Sequence, residues 1–167
     1  MSVLVAYGSK HGSTREVAEF VAETLRERGL EVELEAAGEV RELAGYEAVV
    51  LGAALYTGRI HRDVRHLLQE FRSELAAVPV TVFAMGPSTT EAADLRASRR
   101  QLEKTLAKVP EVKPFAVTIF GGVLNPNELR FPLNRMHAVD ARDWDTIQTW
   151  AELVAVTLAG KRAVMPV

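Results

Sequence analysis

The chain contains no cysteine. That absence removes disulfides, thiol nucleophiles, thiolate metal sites and iron–sulfur clusters together, and it suits a reducing cytosol. An excess of charge is also missing. The formal net charge is −2 and the pI is about 6.1, so the basic balance of a dedicated nucleic-acid binder is not there. No apolar run approaches the roughly 20 residues that a membrane span needs. The opening run Val3–Ala6 is too short for a secretory signal and has no basic residues before it. The expectation is a soluble, cytoplasmic protein, with peripheral membrane contact left open. Internal repeats, low-complexity tracts and linkers are absent as well.

What is present is enough apolar material for a sizeable core. The chain has 167 residues, of which 48% are hydrophobic, which suits one domain over residues 1–167 and argues against disorder. Short apolar runs alternate with longer amphipathic ones. Val3–Tyr7 reads as a buried strand. Ser13 to Arg28 reads as a helix through Val17, Phe20, Val21, Ala22 and Leu25, with Gly29 placed to stop it. Leu30–Glu35 alternates apolar with acidic residues, the pattern of a half-exposed strand near a sheet edge. Tyr46–Ala54 holds a central-strand run, and Arg62 to Leu75 reads as a helix. Val80–Met85 is a strand between Pro79 and Gly86-Pro87, and Glu91 to Leu106 a charged helix. Phe115–Phe120 is a fifth strand. Asp143 to Leu158 is the last helix, with Trp144, Ile147, Trp150, Leu153 and Val154 expected to point inward. This alternation predicts an α/β fold, a three-layer flavodoxin-like sandwich on a five-stranded parallel sheet of order 2-1-3-4-5. The stretch Val123 to Arg142 has no clear periodicity, which marks a functional or mobile loop.

Ligands of open parallel sheets bind beyond the carboxyl ends of the strands. The first such loop is Gly8-Ser9-Lys10-His11-Gly12-Ser13-Thr14. Its small and hydroxyl residues let backbone N–H groups converge, the next helix adds its positive dipole end, and Lys10 and His11 add charge. Those are the needs of a phosphate. The spacing is neither that of a P-loop nor that of the dinucleotide fingerprint. A helix cap at Ser13 and a simple turn at Gly8 are the ordinary alternative. Two further loops leave the same end of the sheet, Ala54-Leu55-Tyr56-Thr57-Gly58 and Gly86-Pro87-Ser88. Tyr56 is placed to stack on a flat ring or to serve as a core tyrosine. Gly58 lets its preceding peptide present either C=O or N–H. Gly86-Pro87 reads equally as a cofactor contact or an ordinary turn. Arg59, His61, Arg62, Arg65 and His66 form a basic cluster beside the second loop.

The first loop resembles the FMN phosphate loop of flavodoxins: a small residue, two variable positions, Gly, any residue, Thr, filled here by Ser9, Gly12 and Thr14. With Val49-Val50-Leu51-Gly52-Ala53, Gly58, His61, Gly121-Gly122-Val123-Leu124 and Asp143-Trp144, the chain resembles the flavodoxin superfamily over nearly its full length. Within it, it is most similar to the menaquinone-dependent protoporphyrinogen oxidase group. The resemblance implies FMN as cofactor, held by Ser9–Thr14, Ala54–Gly58 and Gly86–Ser88, and redox chemistry on a quinone or a porphyrinogen. The alternative it implies is an electron-carrier flavodoxin without a substrate site, serving a redox partner protein. The chain departs from that group in a shorter stretch after strand five, where Phe131 is the only ring before Trp144. Arg130, Arg135, Phe131, Leu133 and Met136 make this stretch a candidate substrate lid; the ordinary alternative is that Phe131 and Leu133 pack back onto the core and the arginines are solvated. No side-chain catalytic set and no metal site stands out.

Overall fold

The computed structural model describes residues 1–56, 58–86, 91–124, 135 and 138–164, apart from the side chains of Tyr56, Leu124 and Val164. Ser2–Gly8 forms β1, and Val3, Leu4, Val5 and Ala6 are all fully buried. A strand buried on both faces belongs in the middle of a covered parallel sheet. β1 lies between β2 (Glu31–Ala36) and β3 (Ala48–Tyr56), parallel to both. β3 pairs on its far side with β5 (Val80–Met85), and β5 with β6 (Ala116–Phe120), again in parallel. Between them Arg59–Ile60 doubles back as β4, a two-residue strand antiparallel to the end of β3. The sheet order β2-β1-β3-β5-β6 is therefore the order read from the sequence, with later labels moved up by one. The alternating strand Glu31–Ala36 does lie at an edge.

Helices cover both faces. On one, Leu4, Ala6, Leu51, Ala53, Val82 and Ala84 pack against α2 (Arg62–Glu70), α3 (Arg72–Ala76) and α4 (Ala92–Leu106). On the other, Val3, Val5, Val50, Phe83 and Met85 pack against α1 (Ser13–Glu27) and α5 (Trp144–Val164). α1 stops where the sequence places the stop. Gly29 has φ 85°, its N–H bonds Arg26 O, and the Leu30 N–H bonds Leu25 O, the paired closure of a left-handed helix end. No helix among the described residues is long and apolar enough to cross a membrane.

Three expectations need correction. The helix expected over 62–75 breaks at Phe71, at φ −105° and ψ 23°, into α2 and α3. Hydrogen bonds from Phe71 N–H to Leu67 O and from Leu75 N–H to Phe71 O carry the chain through the bend, which keeps Phe71 buried in the core. Leu153 does not point inward: it is 61% exposed, while Ala151, Val154, Ala155 and Leu158 take the inner positions. The stretch 123–142 is not wholly irregular, because Val123–Leu124 (β7) and Val139–Asp140 (β8) form an antiparallel pair. Arg130, Phe131, Leu133 and Met136 lie outside the described residues.

Gly52 sits opposite Phe83 in the β3–β5 register, and a Cβ there would lie 2.3 Å from the Phe83 ring. That ring stands edge-on to Trp150, with centroids 5.8 Å apart, so it has little freedom to retreat. Gly52→Ala is expected to cost about 1–3 kcal/mol by overpacking, seen as a lower urea midpoint with an unchanged slope.

Candidate functional site

The strand register sets three loops level with one another. Gly8 at the end of β1 pairs with Ala53, and Ala54 pairs with Met85 at the end of β5. The loops after β1, β3 and β5 therefore start from one line across neighbouring strands.

In the first loop the chain curls back on itself. Gly12 has φ 87°, its N–H donates to Ser9 Oγ at 2.9 Å, and its carbonyl accepts from Glu16 N–H at 3.0 Å. Gly12 is thus the N-cap of α1, and no side chain caps the helix. The ordinary reading of Ser13 as a cap is not what the structure shows; Ser13 is the first helical residue. The first N–H groups of a helix have no partner within it, so this end offers donors and positive dipole to a ligand. Thr14, in the same turn, is fully buried, and its Oγ1 has no hydrogen-bond partner among the described residues. A buried hydroxyl left unpaired costs about 1–3 kcal/mol, and such an atom calls for an explanation. A phosphate bound here would supply one. Lys10 and His11 are exposed beside the loop.

His61 joins the first loop to the second. Its ring fills the place a Gly8 side chain would take, with Nδ1 2.8 Å from that Cβ position. Its N–H donates to Ala54 O at 2.9 Å, and Nδ1 accepts from Asp63 N–H at 3.2 Å, capping α2. Within the basic cluster read from sequence, His61 thus takes the N-cap position of α2, with Asp63 Oδ2 3.9 Å from its Nδ1. Arg65 turns back to the hairpin, its Nε donating to Ile60 O at 3.2 Å.

In the second loop Leu55 pairs with Ile60 and Tyr56 with Arg59 in antiparallel register. Gly58 has φ 83°, and a Cβ on it would lie 3.3 Å from Gln101 Nε2 of α4. Thr57 and the Tyr56 side chain lie outside the described residues, as do Pro87 and Ser88 of the third loop. Gly86 itself is held by its N–H bond to Phe120 O at 2.7 Å, and Ile119 packs where its side chain would be.

A further cluster is not legible in the sequence. Arg142 is only 11% exposed and binds both Asp140 oxygens, at 3.0 and 2.8 Å, and Glu16 Oε2 at 2.6 Å. Its guanidinium also lies 5.0 Å from the Trp144 ring centre, and Trp144 meets Phe20 edge-on at 5.1 Å. The base of the β7–β8 pair is thereby tied to the first turn of α1. Asp143 next to it caps α5, accepting from Thr146 N–H at 3.2 Å and Thr146 Oγ1 at 2.8 Å. The Thr146 hydroxyl bond is the main reason that the Asp143 carboxyl is held below its ordinary value.

Comparisons with known proteins agree with this geometry. The sequence profile of the family described as "Flavodoxin domain" matches residues 4–137. Protoporphyrinogen IX dehydrogenase [quinone] of Escherichia coli (strain K12) is 24% identical over 87 residues, 51% of this chain and 48% of that protein. The match thus spans about half the length of that curated relative. Among solved structures, a point mutant of flavodoxin from Pseudomonas aeruginosa superposes with TM-score 0.63 at 21% identity, covering 95% of this chain and 99% of that one. Rubredoxin oxygen:oxidoreductase from Desulfovibrio gigas gives 0.64 at 18% identity, over 97% of this chain and 37% of that one.

Two outcomes follow from the site. Thr14→Val keeps the shape and deletes the unpaired hydroxyl. The ligand-free protein should gain about 1 kcal/mol or stay unchanged in urea unfolding, while FMN affinity falls by at least about tenfold, roughly the worth of one charge-assisted hydrogen bond. The second concerns acid. Arg142 holds the Asp140 carboxyl below its ordinary value, chiefly through its side-chain hydrogen bonds. A depressed carboxylate contributes stability above its unfolded pKa, near about 3.9, and loses it as pH falls through the lower native value. Asp140→Asn should therefore flatten the acid limb of the stability–pH curve below about pH 4, measured by urea unfolding.

Proposed function

The chain belongs to the flavodoxin-domain family, with FMN as its cofactor, and on that premise we propose that it is an FMN-dependent oxidoreductase acting on a quinone or a porphyrinogen-type substrate in the cytoplasm. The observation that carries the cofactor site is the buried, unpartnered Thr14 hydroxyl beneath an uncapped helix start. In this reading Ser9, Gly12, Ser13 and Thr14 hold the phosphate. The loops at Ala54–Gly58 and Gly86–Ser88 frame the ring. FMN, when bound, supplies the electron and hydride chemistry.

The work left to the protein is orientation and exclusion of water. Backbone N–H groups at the start of α1 and the Thr14 hydroxyl fix one end of the ligand. Gly58, in the left-handed region at φ 83°, lets the reversed turn after β3 place its peptide groups at the other end without Cβ strain. Gly8 admits the His61 ring, so that the first two loops share one support. The substrate class rests on the resemblance to the Escherichia coli enzyme, named for protoporphyrinogen and quinone, over about half its length. An electron carrier without a substrate site is the competing reading, and it draws on the superposition with a flavodoxin over 95% of the chain.

The test uses the FMN-loaded protein, reduced chemically and mixed with a soluble quinone and no second protein. Rapid, saturable reoxidation supports the enzyme. A slow rate that rises linearly with quinone, and accelerates only when a redox protein is added, supports the carrier. A Gly12→Asp, Thr14→Ala double variant, which brings charge and loses a donor at the phosphate, should lower FMN affinity by at least about a hundredfold. Fluorescence titration with FMN checks this, and wild-type affinity in the double variant would remove the phosphate assignment.

A further inference from the structure

The first turn of α1 carries a charge that opposes the ligand proposed for it. Glu16 is the acidic residue of that turn, and its N–H makes the bond to Gly12 O at 3.0 Å that closes the turn. Its neighbour Arg15 is engaged elsewhere, with Nε 2.9 Å from Glu19 Oε1. A carboxylate in a first turn suits the helix dipole, so Glu16 supports the helix of the ligand-free protein. It also follows the N-cap by only one turn, about 6 Å along the axis. That is inside the screening length of about 8 Å at physiological salt. A phosphate monoester carries nearly two negative charges at neutral pH, and a bare Glu16 would repel it.

Glu16 is not bare. Arg142 Nη1 donates to its Oε2 at 2.6 Å, and that guanidinium is held from every side. Its Nε and Nη2 donate to the two oxygens of Asp140 at 3.0 and 2.8 Å, and the Arg142 backbone N–H donates to Asp140 Oδ1 at 3.0 Å. The Trp144 ring lies against it with the centroid at 5.0 Å, and Phe20 of α1 backs that ring. The backbone beside it is fixed as well. Ala141 N–H donates to Gly122 O at 2.9 Å, and a Cβ on Gly121 would collide with Ala141 O. A planar fork with all its directions taken is a placed charge. The Arg15–Glu19 pair, with side chains 61% and 48% exposed, is an ordinary solvated one.

We propose that Arg142 is a positioning residue of the cofactor site, acting through Glu16: its placed charge offsets the Glu16 carboxylate, so that the start of α1 accepts a doubly charged phosphate. The inference rests on the reading that residues 9–14 hold the phosphate of FMN. Asp140 and Trp144 serve by aiming the fork at Glu16. The cation arrives from 126 residues further along the chain, so the charge balance of the first loop is completed by the segment that leads into α5. A purely mechanical brace between the same groups would need the hydrogen bonds and be indifferent to the charge. One substitution separates the two roles. Glutamine at position 16 keeps a carbonyl acceptor for Arg142 Nη1 and removes only the negative charge.

Fluorescence titration of the full chain with FMN and with riboflavin, at low and at high salt, tests the proposal. Glu16→Gln should bind FMN at least as tightly as the wild type. Arg142→Met should bind it about five- to tenfold more weakly at about 50 mM salt, and within about twofold of the wild type at about 500 mM. Adding Glu16→Gln to Arg142→Met should recover most of the low-salt loss. Riboflavin, which has no phosphate, should bind the wild type and each variant alike. The proposal is overturned by a Glu16→Gln protein that binds FMN more than about threefold more weakly than the wild type. It is also overturned by an Arg142→Met loss that salt leaves unchanged or that riboflavin shares. Glu16, 60% exposed, tolerates the exchange for glutamine, so that arm decides the question even where Arg142→Met does not fold. Equal affinity of the wild type for FMN and riboflavin is a different failure: it would overturn the phosphate reading itself, and the role of Arg142 with it.

Discussion

The site depends on one constraint, the register of β1 in the middle of the sheet. Val3 to Ala6 are buried on both faces, so a slip of one residue would send each side chain into the opposite core. The same register pairs Gly8 with Ala53 and brings Met85 level with Ala54. Three loops consequently open along one line, and the proposed ligand site is a consequence of the strand alignment rather than of any loop alone. Gly52 under the Phe83 ring shows how closely this region is packed.

The first loop carries two local costs. An uncapped helix start and an unpaired buried hydroxyl are both unfavourable in the free protein. Both would become favourable against the proposed phosphate. His61 and Arg142 brace this loop from its two sides. His61 packs beneath Gly8 and holds the end of β3. Arg142 links Glu16 to the base of the β7–β8 pair. Neither residue needs to touch the ligand for the loop to depend on it.

Much of this is legible in the sequence because the signals are local. Alternation at Glu31–Ala36 marks an edge strand, Gly29 marks a helix end, and the Gly8–Thr14 run lies between a clear strand and a clear helix. The bend at Phe71 is not legible, because the pattern of apolar residues from Val64 to Leu75 continues through it and only the core decides where the helix turns. Leu153 reads as inward because it is apolar, although its place on the helix is opposite Ala151. Arg142 and Glu16 are 126 residues apart, and no spacing rule joins them. His61 reads as one member of a basic cluster, whereas the fold packs its ring against Gly8 and places it at the start of α2.

The central claim is that the phosphate of FMN is held by residues 9–14 while the ring lies against the loops after β3 and β5. Amide hydrogen exchange, measured on the ligand-free protein and with FMN or riboflavin added, tests it most directly. The account predicts that FMN slows exchange at Ser9–Thr14, at residues 54–60 and at Gly86. Riboflavin, which has the ring and no phosphate, should leave Ser9–Thr14 near their ligand-free rates. Equal protection of Ser9–Thr14 by both ligands, or none with FMN, would contradict the account.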